Sequence, residues 1–288
     1  MKLVLSSPTQ LLRIPKYWLL AIGAGLMAIH LSLVWRSNLP EFQGNCFVFW
    51  AAAVSLVWQK RDDFEFKSSF AASLLGSALI AIALLRIHIL PDFGLFLRLF
   101  PLITGLGLAL LATGFKHLRH YWHEFAVFIL LAIPPTALSF FEISPITARF
   151  STLLLWLSGF EVQRQGVYIM LSTGASIEVY HGCSGVIVII QVLKFVGLAF
   201  LLFPTNWIQR IVLPIVGIVI AFFTNAIRVM ILAILSAPGS GEAFTYWHDG
   251  SGSLAFSMLA VSIVGALCYF WLLRDEDIER ISEEGEEW

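Results

Sequence analysis

Charge is what this chain has least of. Asp, Glu, Lys and Arg make up 13% of its 288 residues, against 58% hydrophobic. A soluble domain averages about 25% charged and roughly 45–50% apolar residues, and the mean hydropathy here is +0.83. A soluble fold is excluded. The formal net charge is −1, so no field of one sign marks the chain for nucleic acid. Cysteine is scarce as well. Cys46, Cys183 and Cys268 are far apart and odd in number, which excludes a disulfide framework or a zinc cluster and leaves one pair at most. There is no internal repeat. The mildly basic stretch Met1–Lys16 lacks a small-residue cleavage site, so the apolar run after it is expected to be a retained first helix rather than a signal peptide.

What the chain does have is long apolar runs. About 20 apolar residues span the hydrocarbon core as a helix. The runs predict an all-α polytopic membrane protein of about eight spans, near 17–35, 43–59, 68–90, 93–115, 124–144, 183–203, 211–235 and 253–273. Segment 145–160 is apolar but short, starts at Pro145 and contains Arg149, which fits an interfacial or re-entrant helix. In 161–182, Val162, Val167, Ile169, Leu171, Ile177 and Val179 alternate with polar residues around Ser172–Ser176. This reads as a short β-hairpin just before the sixth span. Residues 1–273 are expected to form one integral membrane domain, with its motif-bearing core at 150–260, and 274–288 an acidic cytoplasmic tail.

Lys and Arg accumulate in the cytoplasmic loops of membrane proteins. With the N-terminus inside, eleven of them (Lys2, Arg13, Lys16, Lys60, Arg61, Lys67, Lys116, Arg119, Arg210, Arg274 and Arg280) fall on the cytoplasmic side and three (Arg36, Arg149 and Arg164) outside. Both termini are then cytoplasmic, and the hairpin lies outside.

Three polar residues end up at one depth under this topology. Cys183, in His181-Gly182-Cys183-Ser184-Gly185, opens the sixth span at its outer end. Arg228, in Asn225-Ala226-Ile227-Arg228, lies seven residues before the expected end of the seventh span at Leu235, roughly 10 Å below the boundary. His248, in Trp247-His248-Asp249-Gly250, lies in the outer loop before the eighth span. Asn225 shares a helix face with Arg228. Polar groups near lipid are expensive, and gathered at one depth they suggest a site. The chemistry they permit is nucleophilic: a thiolate attacks, a histidine moves protons, and a fixed cation offsets negative charge.

The Cys-Ser-Gly at 183–185, the Asn-x-x-Arg at 225–228 and His248, in this order and on one side of a multi-span core, resemble the exosortase/archaeosortase family of membrane-embedded cysteine transpeptidases. The cyanobacterial-type branch of that family stays open. The resemblance implies a cysteine peptidase that cleaves a C-terminal sorting signal of exported proteins: a short motif of the PEP-CTERM kind, a hydrophobic helix and a basic cluster. It implies Cys183 as nucleophile, Arg228 as transition-state stabiliser, His248 as acid/base and Asn225 as a supporting residue, with no metal and no organic cofactor. The implied partners are the exported substrate, membrane lipid and an unidentified envelope acceptor, with no nucleic acid. The implied place is the cytoplasmic membrane, with the site facing outward.

Each residue also has a plainer reading. A free cysteine packs well as a small buried residue, the reading kept for Cys46 and Cys268. Arg228 alone fits a snorkelling anchor, the reading kept for Arg86 and Arg98. His181, two residues before the thiol, competes with His248 for the proton transfer, and Ser184 beside it is a supporting or substrate-contacting candidate. Asp249 is expected to point away from its neighbour His248, so no Cys-His-Asp triad is expected. Glu178 and Tyr180 read as hairpin surface within reach of a substrate. Lys194, in the middle of a span, reads as an interhelical polar contact. The alternative function is a small transporter or polymer-export component, which requires polar residues spread along a pathway rather than gathered at one side.

Overall fold

A computed structural model describes residues 15–37, 39–61, 68–89 and 94–286. The basic stretch ahead of the first helix, Lys67 and the last two tail residues lie outside the described residues. The chain divides into two compact units, Met1–Pro134 and Pro135–Trp288.

The first unit holds helices α1 (Pro15–Arg36), α2 (Pro40–Gln59), α3 (Phe70–Ile89), α4 (Gly94–Thr113) and α5 (Trp122–Ala132), with a 3₁₀ turn at Phe115–Tyr121 before α5. Helices α3 and α4 meet at glycine. A Cβ on Gly76 would come within 2.6 Å of the Gly107 carbonyl, and one on Gly107 within 2.8 Å of the Gly76 carbonyl, the close approach that small residues permit between membrane helices. Pro101 sits inside α4. It has no N–H for the carbonyl four residues back, which belongs to Leu97. His30 of α1 supplies the missing donor from Nε2 at 2.9 Å, and Trp50 Nε1 donates to His30 Nδ1 at 2.9 Å. Arg98 lies 4.3 Å over the Phe42 ring and Arg86 5.3 Å over the Phe96 ring, so both cations rest on aromatic faces. Lys60, at the end of α2, pairs with Glu124 of α5 at 2.9 Å.

The expected span at 124–144 does not form as one helix. α5 stops at Ala132, and Ile133 turns to extended backbone at ψ 119. The residue before a proline disfavours helical geometry, and Pro134 and Pro135 follow in series. Five of the described helices are long and apolar enough to cross a membrane, against the eight expected: Lys16–Arg36, Phe70–Ile87, Gly94–Thr113, Trp207–Leu235 and Gly252–Leu272. The expected second span forms as α2 but carries Glu41, Gln43 and Asn45 among its apolar residues. The expected sixth is the shorter apolar helix Val186–Leu202. The protein is an integral membrane protein.

The second unit runs α6 (Ser144–Leu157), strands β1 (Val162–Gln165), β2 (Tyr168–Leu171) and β3 (Ser176–Glu178), a 3₁₀ turn at His181–Cys183, then α7 (Val186–Leu202), α8 (Trp207–Leu235), α9 (Gly241–His248) and α10 (Ser251–Glu286). The strands form an antiparallel sheet in the order β1-β2-β3. The expected single hairpin is therefore two. Its predicted turn, with Gly174 at φ 83, joins β2 to β3, and a second turn at Gly166, φ 63, joins β1 to β2. β1 was hidden because Gln163, Arg164 and Gln165 are all exposed and show no apolar alternation.

One core binds α7, α8 and α10 through Val188, Val192, Leu213, Ala221, Ala260 and Val264. A second packs the sheet on α6 and the end of α8 through Leu155, Ile169, Ile177, Val179, Val229 and Leu232, and Cys183 belongs to it. Asn206 caps α8 in a reciprocal pair with Gln209. The expected outer loop 236–252 contains a helix, α9, that ends at His248. Lys194 is buried midway along α7. The backbone of the expected acidic tail continues α10 to Glu286.

Candidate active site

The thiol is delivered by a tight turn between sheet and helix. Val179 carries the pairing one residue beyond β3, its N–H donating to the carbonyl of Val167, just ahead of β2. The chain then folds so that Cys183 N donates to Tyr180 O at 2.9 Å. Ser184 Oγ donates to the His181 carbonyl at 2.7 Å, which makes Ser184 a brace of the turn. Gly185 leads into α7 at φ 99, a left-handed conformation that suits glycine. A Cβ at that position would also lie 2.9 Å from Asn225 Nδ2.

Asn225 uses that closeness. Its Nδ2 donates to the Cys183 carbonyl at 2.9 Å, tying the thiol turn to α8. One helical turn on, Arg228 Nη2 donates to the backbone carbonyl of His248 at 2.9 Å. His248 Nε2 then stands 3.5 Å from Cys183 Sγ. The imidazole stacks on Phe244 at 5.0 Å between centroids and 14° between planes, one helical turn back on α9. The start of α7, the last third of α8 and the α9–α10 turn thus converge on the sulfur. Six buried side-chain polar atoms among the described residues have no hydrogen-bond partner, and three of them are Asn225 Oδ1, Arg228 Nε and His248 Nδ1. Unsatisfied buried polar groups call for an explanation, and their concentration around one thiol marks this end of the unit.

Residues 35–265 match the family model for the transmembrane exosortases. The chain belongs to the transmembrane exosortase family. Comparison with curated proteins and with solved structures gave no match. Membership implies, in general terms, a sorting transpeptidase, and the matched stretch contains Cys183, Asn225, Arg228 and His248.

In this exosortase-family chain Cys183 is buried. Burial pushes its thiol up from the ordinary range, Arg228 and Tyr180 pull it back down, and Asp249 pushes it up again. The expectation that Asp249 points away is corrected: its Oδ1 lies 2.9 Å from His248 Nδ1. That nitrogen nonetheless has no hydrogen-bond partner by angle. A carboxylate on the very next residue reaches the ring from beside its N–H axis, so the contact is close but is not an aligned hydrogen bond. His181 turns elsewhere, with Nδ1 3.7 Å from Glu142 Oε2. Glu142 in turn accepts from Ser144 N at 2.9 Å. The Ser144 hydroxyl and then that backbone bond, with His181 adding to them, hold its carboxyl below the usual range.

Two contributors, Thr147 and Ser151, lie outside the sequence motifs, and a third, Tyr180, expected at the hairpin surface, stands closer to the site than that. Thr147 Oγ1 donates to the Ser184 carbonyl at 2.7 Å, and Ser151 Oγ donates to the Ala226 carbonyl at 3.0 Å. They are four residues apart on one face of α6 and clamp the two motifs from the same side. That polar pair on a buried face was the available signal. Tyr180 Oη lies 3.5 Å from His248 Nε2.

Proposed function

We propose that the chain is a membrane cysteine transpeptidase that cleaves a C-terminal sorting signal from exported proteins. The observation that carries this reading is the 3.5 Å approach of Cys183 Sγ to His248 Nε2, within a family whose general role is sorting transpeptidation. His248 Nε2 takes the thiol proton, and the thiolate attacks the scissile carbonyl carbon. The carbon–nitrogen bond breaks, the leaving amine takes the proton back from Nε2, and the N-terminal part remains as a thioester on Cys183. An acceptor amine or hydroxyl then gives its proton to Nε2 and attacks the thioester. The carbon–sulfur bond breaks, and the displaced thiolate recovers its proton from Nε2. Arg228 fixes the His248 backbone and puts a permanent cation beside the negative charge that develops.

The substrate is a protein whose signal comprises a short motif of the PEP-CTERM kind, an apolar helix and basic residues. The reactive end of the second unit faces outward from the cytoplasmic membrane. The Lys/Arg bias of the loops supports this, with both termini cytoplasmic. The acceptor is an envelope component. To test the reading, a protein bearing such a signal is co-expressed with wild type or with Cys183→Ala, and its mass is followed. Wild type yields the shortened product plus the mass of the acceptor, and Cys183→Ala leaves the precursor intact. Equal processing by both ends the assignment.

A further inference from the structure

Tyr180 follows β3 and sends its ring back over the turn that presents the thiol. A Cβ on Gly182 would lie 2.5 Å from Tyr180 Cε2 and 3.3 Å from its hydroxyl. The missing side chain at position 182 is what lets the ring lie there. The Tyr180 carbonyl accepts from Cys183 N at 2.9 Å, which closes the turn beneath the ring. The hydroxyl comes to 3.5 Å from His248 Nε2, the same nitrogen that stands 3.5 Å from Cys183 Sγ. From that position it also pulls the Cys183 thiol down, against the effect of burial. The ring is 47% exposed, so it forms the outer wall beside the sulfur.

We infer that Tyr180 is a further catalytic residue, whose hydroxyl donates to the Cys183 sulfur and stabilises the thiolate. The inference rests on the cysteine chemistry proposed above. The hydroxyl has one proton and two neighbouring acceptors. While His248 is neutral, Nε2 and sulfur compete for that proton. Once Nε2 has taken the thiol proton it is a donor, and sulfur is the acceptor left to the hydroxyl. The bond to sulfur is then charge-assisted and stronger than in the resting state, which is stabilisation specific to the reactive state. Arg228 acts from farther back, since its Nη2 is engaged with the His248 carbonyl. The titratable and charged groups around the sulfur are Arg228 from α8, His248 and Asp249 from the end of α9, and Tyr180 from the turn.

The test is the pH profile of Cys183 alkylation by iodoacetamide in the full-length protein, in a Cys46→Ala/Cys268→Ala background. Labelling after unfolding normalises for the amount of protein. Tyr180→Phe keeps the ring over Gly182 and removes the donor. It is expected to move the reactivity midpoint up by about one pH unit and to slow alkylation near neutral pH about tenfold. Gly182→Ala, which displaces the ring, is expected to give the same shift and serves in its place should Tyr180→Phe not accumulate. An unchanged midpoint in the variant measured overturns the inference. Processing of a signal-bearing substrate is followed in parallel. If Cys183→Ala still processes, the proposed function fails, while the alkylation profile still decides whether Tyr180 stabilises the thiolate.

Discussion

Arg228 donates to the backbone carbonyl of His248 at 2.9 Å. The one cation of the group therefore fixes the position of the histidine as well as supplying charge. A lysine at this position has no planar fork and a differently hydrated head. Arg228→Ala is expected to lower the initial rate of substrate processing by about 10²–10³-fold, and Arg228→Lys to recover part of it. Wild-type rates in Arg228→Ala would remove the residue from the machinery.

Asp249 touches the far side of the same imidazole, and its side chain is 73% exposed. Exposed charge pairs contribute modestly, about 0–1 kcal/mol. Asp249→Asn is therefore expected to slow processing by less than about tenfold, whereas His248→Ala abolishes it. A loss in Asp249→Asn as deep as that in His248→Ala would show a full triad.

Gly185 combines a left-handed backbone with the closest approach to Asn225. Gly185→Ala is expected to cost about 1–3 kcal/mol of stability from backbone strain, with crowding of the Asn225 amide in addition. Asn225→Ala relieves the crowding but loses the bond to the Cys183 carbonyl. Thermal unfolding of the two single variants and the double variant should show a double-variant cost below the sum. Strict additivity would mean that the two sites do not meet.

The direction of the Cys183 shift fixes a pH dependence. Burial favours the neutral thiol, and Arg228 and Tyr180 offset it in part. The folded protein thus holds this proton to a higher pH than the unfolded chain does. The group's contribution to stability is full below about pH 8.5, the ordinary thiol value, and is lost as pH rises through the folded value. Unfolding of detergent-solubilised protein is expected to show wild type losing more stability than Cys183→Ala between pH 7 and pH 10. A constant difference between the two would contradict it.

Ser151→Ala strips a donor from the Ala226 carbonyl, and Thr147→Val does the same to the carbonyl of Ser184. Thr147→Val leaves a buried acceptor unmade and is expected to destabilise by about 1–3 kcal/mol, whereas the Ala226 carbonyl keeps its own bond within α8, so Ser151→Ala is expected to cost about 0.5–1.5 kcal/mol. Processing should fall with a larger change in kcat than in KM, because the clamp sets the spacing of the motifs. A change in KM alone would make α6 a substrate-binding element instead.

That Cys183, Arg228 and His248 meet was legible in the sequence, because they stand at the start, near the end and just before the start of three consecutive apolar runs, ends that antiparallel helices bring together. The partners that hold them were not. Tyr180 stands three residues before the thiol, but nothing in the residue string shows that its ring folds back over Gly182. Thr147 and Ser151 are separated from the carbonyls they hold by 37 and 75 residues, and hydroxyls in an apolar helix carry no mark of their acceptor. The segment Gly241–His248 reads as loop in the sequence because a helix of eight residues is too short to show a clear apolar stripe. The Pro134-Pro135 break was in plain view, but average hydropathy over 124–144 outweighed a backbone restriction that acts on single residues.

Pro101 and His30 have a consequence for descent. The proline frees the Leu97 carbonyl, and the histidine, oriented by Trp50, fills it. A lineage that replaces Pro101 restores the helix's own donor and removes the selective reason for an imidazole at position 30. A lineage that first loses His30 is left with an orphaned carbonyl inside the membrane, a cost that disfavours that order of events. Across the family the two positions should change together, and changes at position 50 should follow them.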